Sequence, residues 1–337
     1  MLITSGIIII ENVSESVAWK EMRYYKAIII WSILLIASIL LSLMWGIGHV
    51  SDALSQTILY QVRMPRMLQA LLAGISLTLA GHMFQTLLNN PLADSFTLGL
   101  ASGATFGSGL AVVLGVSFIW LPMFSVVFSI ITLILVITLT TAMSKGYPIR
   151  TLILAGIMIG ALFNAFLYVL IIFNQSKMKN IVNYMFGGFS SAEYNEVIYS
   201  GAVTVISVIM LFGMISKIKL LQLGDLRAQS LGLNVKSITY MTLLIASIMT
   251  AVIVAYVGVI GFIGMVIPQL VRRNSVHYNL SQQMVLNMMI GGTIMVLSDW
   301  LGSTLLDPFQ IPASIILALL GIPVLFYIMM TQSRVYD

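Results

Sequence analysis

The sequence contains no cysteine at all. That excludes disulfides, thiolate metal sites and a cysteine nucleophile, and leaves the redox compartment unreadable. Charge is almost as scarce. Only 8% of the 337 residues are Asp, Glu, Lys or Arg, against about a quarter in a soluble domain. There are three histidines, His49, His82 and His277, scattered with no His-Glu-x-x-His pairing. No Gly-x4-Gly-Lys-Ser/Thr loop is present, so the chain binds no nucleotide by that device. Ser102 is not in a nucleophile elbow, because Leu100 and Ala104 stand where the Gly-x-Ser-x-Gly glycines would be. A membrane hydrolase therefore lacks a nucleophile with its base, and no cofactor or metal is expected.

What fills the chain instead is apolar residues, 59% of it, giving a mean hydropathy of +1.04. This reads as an all-α integral membrane protein. A bilayer crossing takes about 20 apolar residues as helix. By that measure there are ten spans, at roughly 27–48, 67–88, 95–116, 118–142, 151–173, 197–215, 238–258, 260–271, 283–301 and 313–330. The eighth is short and broken by Pro268, so it should be bent and its freed backbone groups should need polar partners. The third and fourth can be cut differently around Trp120-Leu-Pro122. Residues 1–26 read as a cytoplasmic N-terminal tail, amphipathic or disordered. Residues 27–337 read as one polytopic domain.

Basic residues orient the spans. With the N-terminus inside, twelve of the sixteen Lys and Arg are cytoplasmic. Only Arg63, Arg66, Lys177 and Lys179 lie outside. An even number of crossings with both termini cytoplasmic follows from the positive-inside bias. The same bias accounts for the net charge of +5 without a nucleic-acid partner. Membrane lipid is the expected surrounding. Gly99, Gly103 and Gly107, and again Gly156 and Gly160, are spaced for close helix packing.

Three features carry candidate function. The longest hydrophilic break of the second half, 217–236, holds Lys217, Lys219, Asp225, Arg227 and Lys236. A short amphipathic helix fits between Gly224 and Gly232, with Leu223, Leu226, Leu231 and Ala228 near one face and Asp225, Arg227 and Gln229 pointing away. It reads either as a loop that only fixes topology or as a docking surface for a cytoplasmic partner. Gly232 is placed to close that helix in a left-handed conformation. Second, Arg63-Met-Pro-Arg66 defies the positive-inside bias. Its arginines either snorkel to lipid phosphates or receive carboxylates of an extracytoplasmic partner, and the i, i+3 spacing suits one direction. Third, His82 and Gln85 are polar residues one turn apart on an apolar span. They either bond neighbouring helices or line a translocation path. Asp299 is the one acid clearly inside a span, so coupling to an ion gradient has few buried ionisable groups to use. Energy would then come from a partner.

Together these stretches resemble the FecCD-type permeases of ABC importers for iron–siderophores, haem and cobalamin. Arg63-Met-Pro-Arg66 is similar to the family's Arg-Leu-Pro-Arg. Gly81-His-Met-Phe-Gln85, Asn89-Asn-Pro-Leu-Ala-Asp94 and Leu98-Gly-Leu-Ala-Ser-Gly103 resemble its glycine and Asn-Pro series. Leu223 to Gly232 looks like its coupling segment, and Gly261-Phe-Ile-Gly-Met-Val-Ile-Pro268 and Leu320-Gly-Ile-Pro323 resemble its C-terminal motifs. The resemblance implies a non-enzymatic transport subunit with ten helices in the bacterial cell membrane. It implies a second permease (the same chain or a paralogue), a cytoplasmic ABC ATPase dimer and an extracytoplasmic substrate-binding protein. By carry-over, Gly224, Asp225, Arg227, Ala228, Ser230, Leu231 and Gly232 couple to the ATPase, and Arg63 and Arg66 meet the binding protein. The expected cargo is an iron(III)–siderophore, with haem or cobalamin as the alternative within the family. An ion-coupled secondary transporter is the alternative outside it. Two departures stand out. Gln269 follows Pro268 where the family often has histidine, and Ser303 stands where some members have an arginine in the loop after the ninth span.

Overall fold

The computed structural model describes residues 2–46, 52–143, 149–177, 181, 187–274, 278–306 and 309–333. His49, Lys145, Lys179, His277 and Arg334 lie outside them. The described chain is helical: α1 Leu2–Met44, α2 Ala53–Ile58, α3 Met64–Leu87, α4 Leu100–Leu114, α5 Leu121–Met143, α6 Ile149–Phe173, α7 Tyr194–Gly213, α8 Ile215–Leu221, α9 Asp225–Ser230, α10 Val235–Val257, α11 Ile263–Asn274, α12 Leu280–Thr304 and α13 Ala313–Ser333. A turn of π-helix, Leu59–Arg63, joins α2 to α3 into one continuous rod.

Ten of these helices correspond to the ten expected spans. Seven are long and apolar enough to cross a bilayer, the first of them running Glu21–Met44. Two more, Leu100–Leu114 and Ala313–Ile328, are apolar but short, and α11 has 12 residues. A helix of 15 residues reaches about 22 Å and one of 12 about 18 Å, less than the roughly 30 Å of a hydrocarbon core. Irregular segments, 88–99 before α4 and 258–262 before α11, extend the two shortest. The expected third span, 95–116, is thus half turn and half helix. Residues 95–99 leave the helix because Gly99 adopts φ +71°, and Asp94 Oδ1 accepts from the backbone N–H groups of Phe96 and Thr97. α1 runs unbroken from Leu2 to Met44.

α3 is the central pole, buried along most of its length and packed against α7, α10, α11 and α12. Glycine sets its closest contacts. A Cβ on Gly74 would lie 2.3 Å from the Gly291 carbonyl oxygen of α12, and a Cβ on Gly81 would lie 1.8 Å from the Gly264 carbonyl oxygen of α11. Neither gap admits any side chain. Hydroxyls and amides add cross-links: Ser76 and Thr204 hydroxyls are 2.7 Å apart, and the Ser200 hydroxyl donates to Gln69 Oε1 at 2.8 Å. The expected glycine stripe is real, with Gly99 meeting Gly156 and Gly160 of α6 while Gly103 and Gly107 press on α5. α7 begins at Tyr194 and buries Glu196 in its first turn, so Asp299 is not the sole acid within a span.

Candidate functional sites at the two faces

At the cytoplasmic face, α9 is a short helix bounded by two glycines. Gly224 precedes it at φ +93°, ψ 153°, a conformation open essentially to glycine alone. Gly232 follows it at φ +80°. The Leu233 N–H returns to the Ala228 carbonyl and the Gly232 N–H to the Gln229 carbonyl, a Schellman closure. Asn234 then caps α10 by accepting from the Ser237 N–H. The helix falls where the spacing put it, but its faces do not. Ala228 is fully buried, whereas Leu226 is 84% exposed and Leu223 and Leu231 are also exposed. The leucines therefore do not share the packed face of Ala228. The apolar anchors of the segment are Leu221 and Leu233, which flank α9 and pack against the core. Beneath α9 lies a cavity of about 450 Å³, lined by Asp225, Gln229, Lys236, Thr86, Asn89 and Arg272 among others.

At the opposite face, Arg63 and Arg66 line one cavity of about 350 Å³ with Asp299, Trp300, Ser303 and Gln310. Both guanidinium groups already have partners. Arg63 donates to the carbonyls of Leu43 and Trp45, the end of α1. Those are carbonyls a helix C-terminus leaves unpaired, and a cation there also answers the helix dipole. Arg66 makes a two-pronged contact with Asp299, Nε to Oδ2 at 2.7 Å and Nη2 to Oδ1 at 2.8 Å, and donates from Nη1 to Gln310 Oε1 at 3.0 Å. The pair is largely buried, with side chains 15% and 4% exposed. Lys177, a third outside cation, donates to the Val112 and Val113 carbonyls at the end of α4. The three described exceptions to the positive-inside bias are thus cations bound to helix ends or to an acid of the same chain. Ser303 lies in the last turn of α12, not in a loop after it.

His82 and Gln85 are both buried, and neither lines these two cavities. Gln85 Nε2 donates 3.0 Å to the Met265 carbonyl of α11, and Gln269 Nε2 donates to the Pro91 carbonyl. One amide thus ties α3 to the first turn of α11, and the other ties α11 to the irregular segment 88–99. His82 Nε2 has no partner among the described residues. A third cavity of about 380 Å³ is lined by Asp94, Phe96, Val259, Gly261, Phe262, Met265 and Ser314, where segments 88–99 and 258–262 meet. Neither segment shows any periodicity that would have marked it. Among the described residues no three His, Asp or Glu side chains gather as a metal site.

Comparison with known proteins agrees with this layout. The FecCD transport family matches residues 26–331. The chain belongs to that family. It is 30% identical over 274 residues to the molybdate import permease MolB of Haemophilus influenzae, covering 81% of this chain and 80% of that one. It is 28% identical over 330 residues to the iron(3+)-hydroxamate import permease FhuB of Escherichia coli, covering 96% of this chain and 49% of that longer protein. A solved ABC transporter assigned to the metal-chelate type, in an inward-facing conformation, superposes with a TM-score of 0.80 at 30% identity, over 91% of this chain and 99% of that one. This FecCD chain is a multi-pass ABC importer permease, a transport subunit rather than an enzyme.

Proposed function

We propose that this permease carries an iron(III)–siderophore chelate, paired with a second permease subunit and driven by two ABC ATPase subunits at the α9 face. The observation that carries the coupling is Leu226, 84% exposed on a helix closed by Gly224 and Gly232, in a chain with no nucleotide loop of its own. A leucine held out on a helix fixed at both ends by glycine turns suits insertion into a partner's cleft. Gly224, Asp225, Arg227, Ala228, Ser230, Leu231 and Gly232 form that element. On the opposite face Arg63 and Arg66 receive acidic side chains of a binding protein. Their shared cavity, lined among the described residues by two cations and one acid, supports this reading.

The cargo assignment draws on relatives named for iron(3+)-hydroxamate and Fe(3+)-citrate import. A relative named for molybdate makes the test necessary. Reconstituted with its ATPase and binding protein in vesicles collapsed for ion gradients, the permease should take up radiolabelled ferric hydroxamate on ATP addition. Uptake of haem, cobalamin or molybdate in preference would reassign the cargo. Transport that needs the ion gradient and ignores ATP would end the coupling reading.

A further inference from the structure

We infer that Asp299 is a resident counter-ion that competes with the docking protein's carboxylate for Arg66, so that docking proceeds by exchange of ion-pair partners; this rests on the docking role proposed for Arg63 and Arg66. Arg63 and Arg66 differ in what holds them. Among the described residues Arg63 is bound by neutral carbonyls alone, so no acid there offsets its charge, and it lines the cavity. Arg66 is neutralised through both prongs of its fork by Asp299. An arriving carboxylate meets Arg63 first and gains Arg66 only by displacing Asp299. Unlike the arginines, Asp299 sits on α12, the helix packed most extensively on α3 through Gly74 and Gly291. Exchange at Arg66 therefore loosens the outer tie between these two helices, giving docking a mechanical consequence inside the membrane.

The surroundings fit a site built for this. Trp300 Nε1, beside the pair, is a buried donor with no partner among the described residues. Its ring stacks edge-on with Trp45 at 5.4 Å. Ser303, also in the wall, is small and turns its hydroxyl to the Trp300 carbonyl, leaving the cavity open. Gln310 is exposed yet fixed, because the neighbouring Ile311 N–H bonds the Gly302 carbonyl at 2.8 Å. Its Oε1 on Arg66 is a place where a second acid can be added without disturbing packing.

The test is docking affinity of the assembled permease–ATPase complex for its binding protein, at low and at physiological salt. Close interfacial charge pairs couple by about 1.5 kcal/mol or more, which is roughly tenfold. Gln310→Glu, strengthening the resident acid, should weaken docking about tenfold. Asp299→Asn should tighten it by a similar factor, since Arg66 is freed. In the Arg66→Gln/Asp299→Asn double variant, which removes the buried pair as a unit, Gln310→Glu should lose its effect. An undiminished effect there means plain repulsion at the cavity mouth and overturns the exchange. So does unchanged docking in Gln310→Glu while Arg63→Glu still weakens it, an outcome that leaves the docking role intact. If Arg63→Glu also changes nothing, the docking role itself fails. If anionic lipid rather than binding protein responds to these variants, the cavity belongs to phosphate headgroups. Should Asp299→Asn fail to reach the membrane, Gln310→Glu and its double-variant control decide alone.

Discussion

Two glycines flank α9, and they are not equivalent. Gly232 lies in the left-handed region that asparagine also visits, whereas Gly224, at φ +93°, ψ 153°, lies where essentially only glycine goes. No atom lies within 4 Å of a Cβ at either position, so any cost is backbone strain alone. Gly232→Asn should preserve uptake and ATPase pull-down, while Gly232→Val and Gly224→Asn should lose both with the subunit still in the membrane. Equal tolerance of asparagine at both sites would contradict these dihedrals. Gly81 tests packing instead. Gly81→Ala forces α3 and α11 apart against a carbonyl oxygen and should destabilise the purified subunit by about 1–3 kcal/mol, the usual range for overpacking. Gly201→Ala is the control, since its Cβ would meet only Leu72 Cδ1 at 3.5 Å. Thermal unfolding in detergent, read for both variants, should separate them by several degrees.

At the scale of elements, α9 divides into an inner residue and an outer row. Ala228 is buried and Leu226 exposed, so their glutamate variants should fail differently. Leu226→Glu should leave thermal stability unchanged and abolish ATPase association. Ala228→Glu should lower stability as well, because a buried unpaired carboxylate costs several kcal/mol. If Leu226→Glu retains the ATPase and normal uptake, α9 fixes topology and nothing more. α11 is the other unusual element. Pro268 removes the N–H that would bond the Gly264 carbonyl, and that carbonyl is the one pressed on Gly81. Gln85 bonds Met265 one residue on. Gln85 and Gln269 thus tie this short, proline-bearing helix to α3 and to segment 88–99 on either side.

For the whole molecule, the placement of His82 and Gln85 bears on where cargo passes. Both are buried between helices of one subunit. Because the chain has no native cysteine, each can be replaced by a single reactive thiol. Gln85→Cys should stay inaccessible to bulky thiol reagents in every nucleotide state, as expected of a residue that ties α3 to α11. ATP-dependent labelling at either position would instead place it on the pathway wall. The cavity where segments 88–99 and 258–262 meet is the natural comparison, and Ser314→Cys there supplies the positive control.

The sequence by itself determined the class, the crossings and their direction. Hydrophobic length and the bias of basic residues act locally, so ten spans and the cytoplasmic side could be read from composition along the chain. It also placed α9, because glycine at both ends of a short polar stretch is a local signal. Tertiary structure alone decided what those residues touch. Leu226 and Ala228 share an apolar character, yet one is exposed and the other buried, since the loop's orientation is set by Leu221 and Leu233 packing elsewhere. Arg66 and Asp299 are 233 positions apart, and no periodicity links them. Their pairing exists because α3 and α12 meet through Gly74 and Gly291, close enough for a guanidinium at the end of one helix to grip a carboxylate on the other.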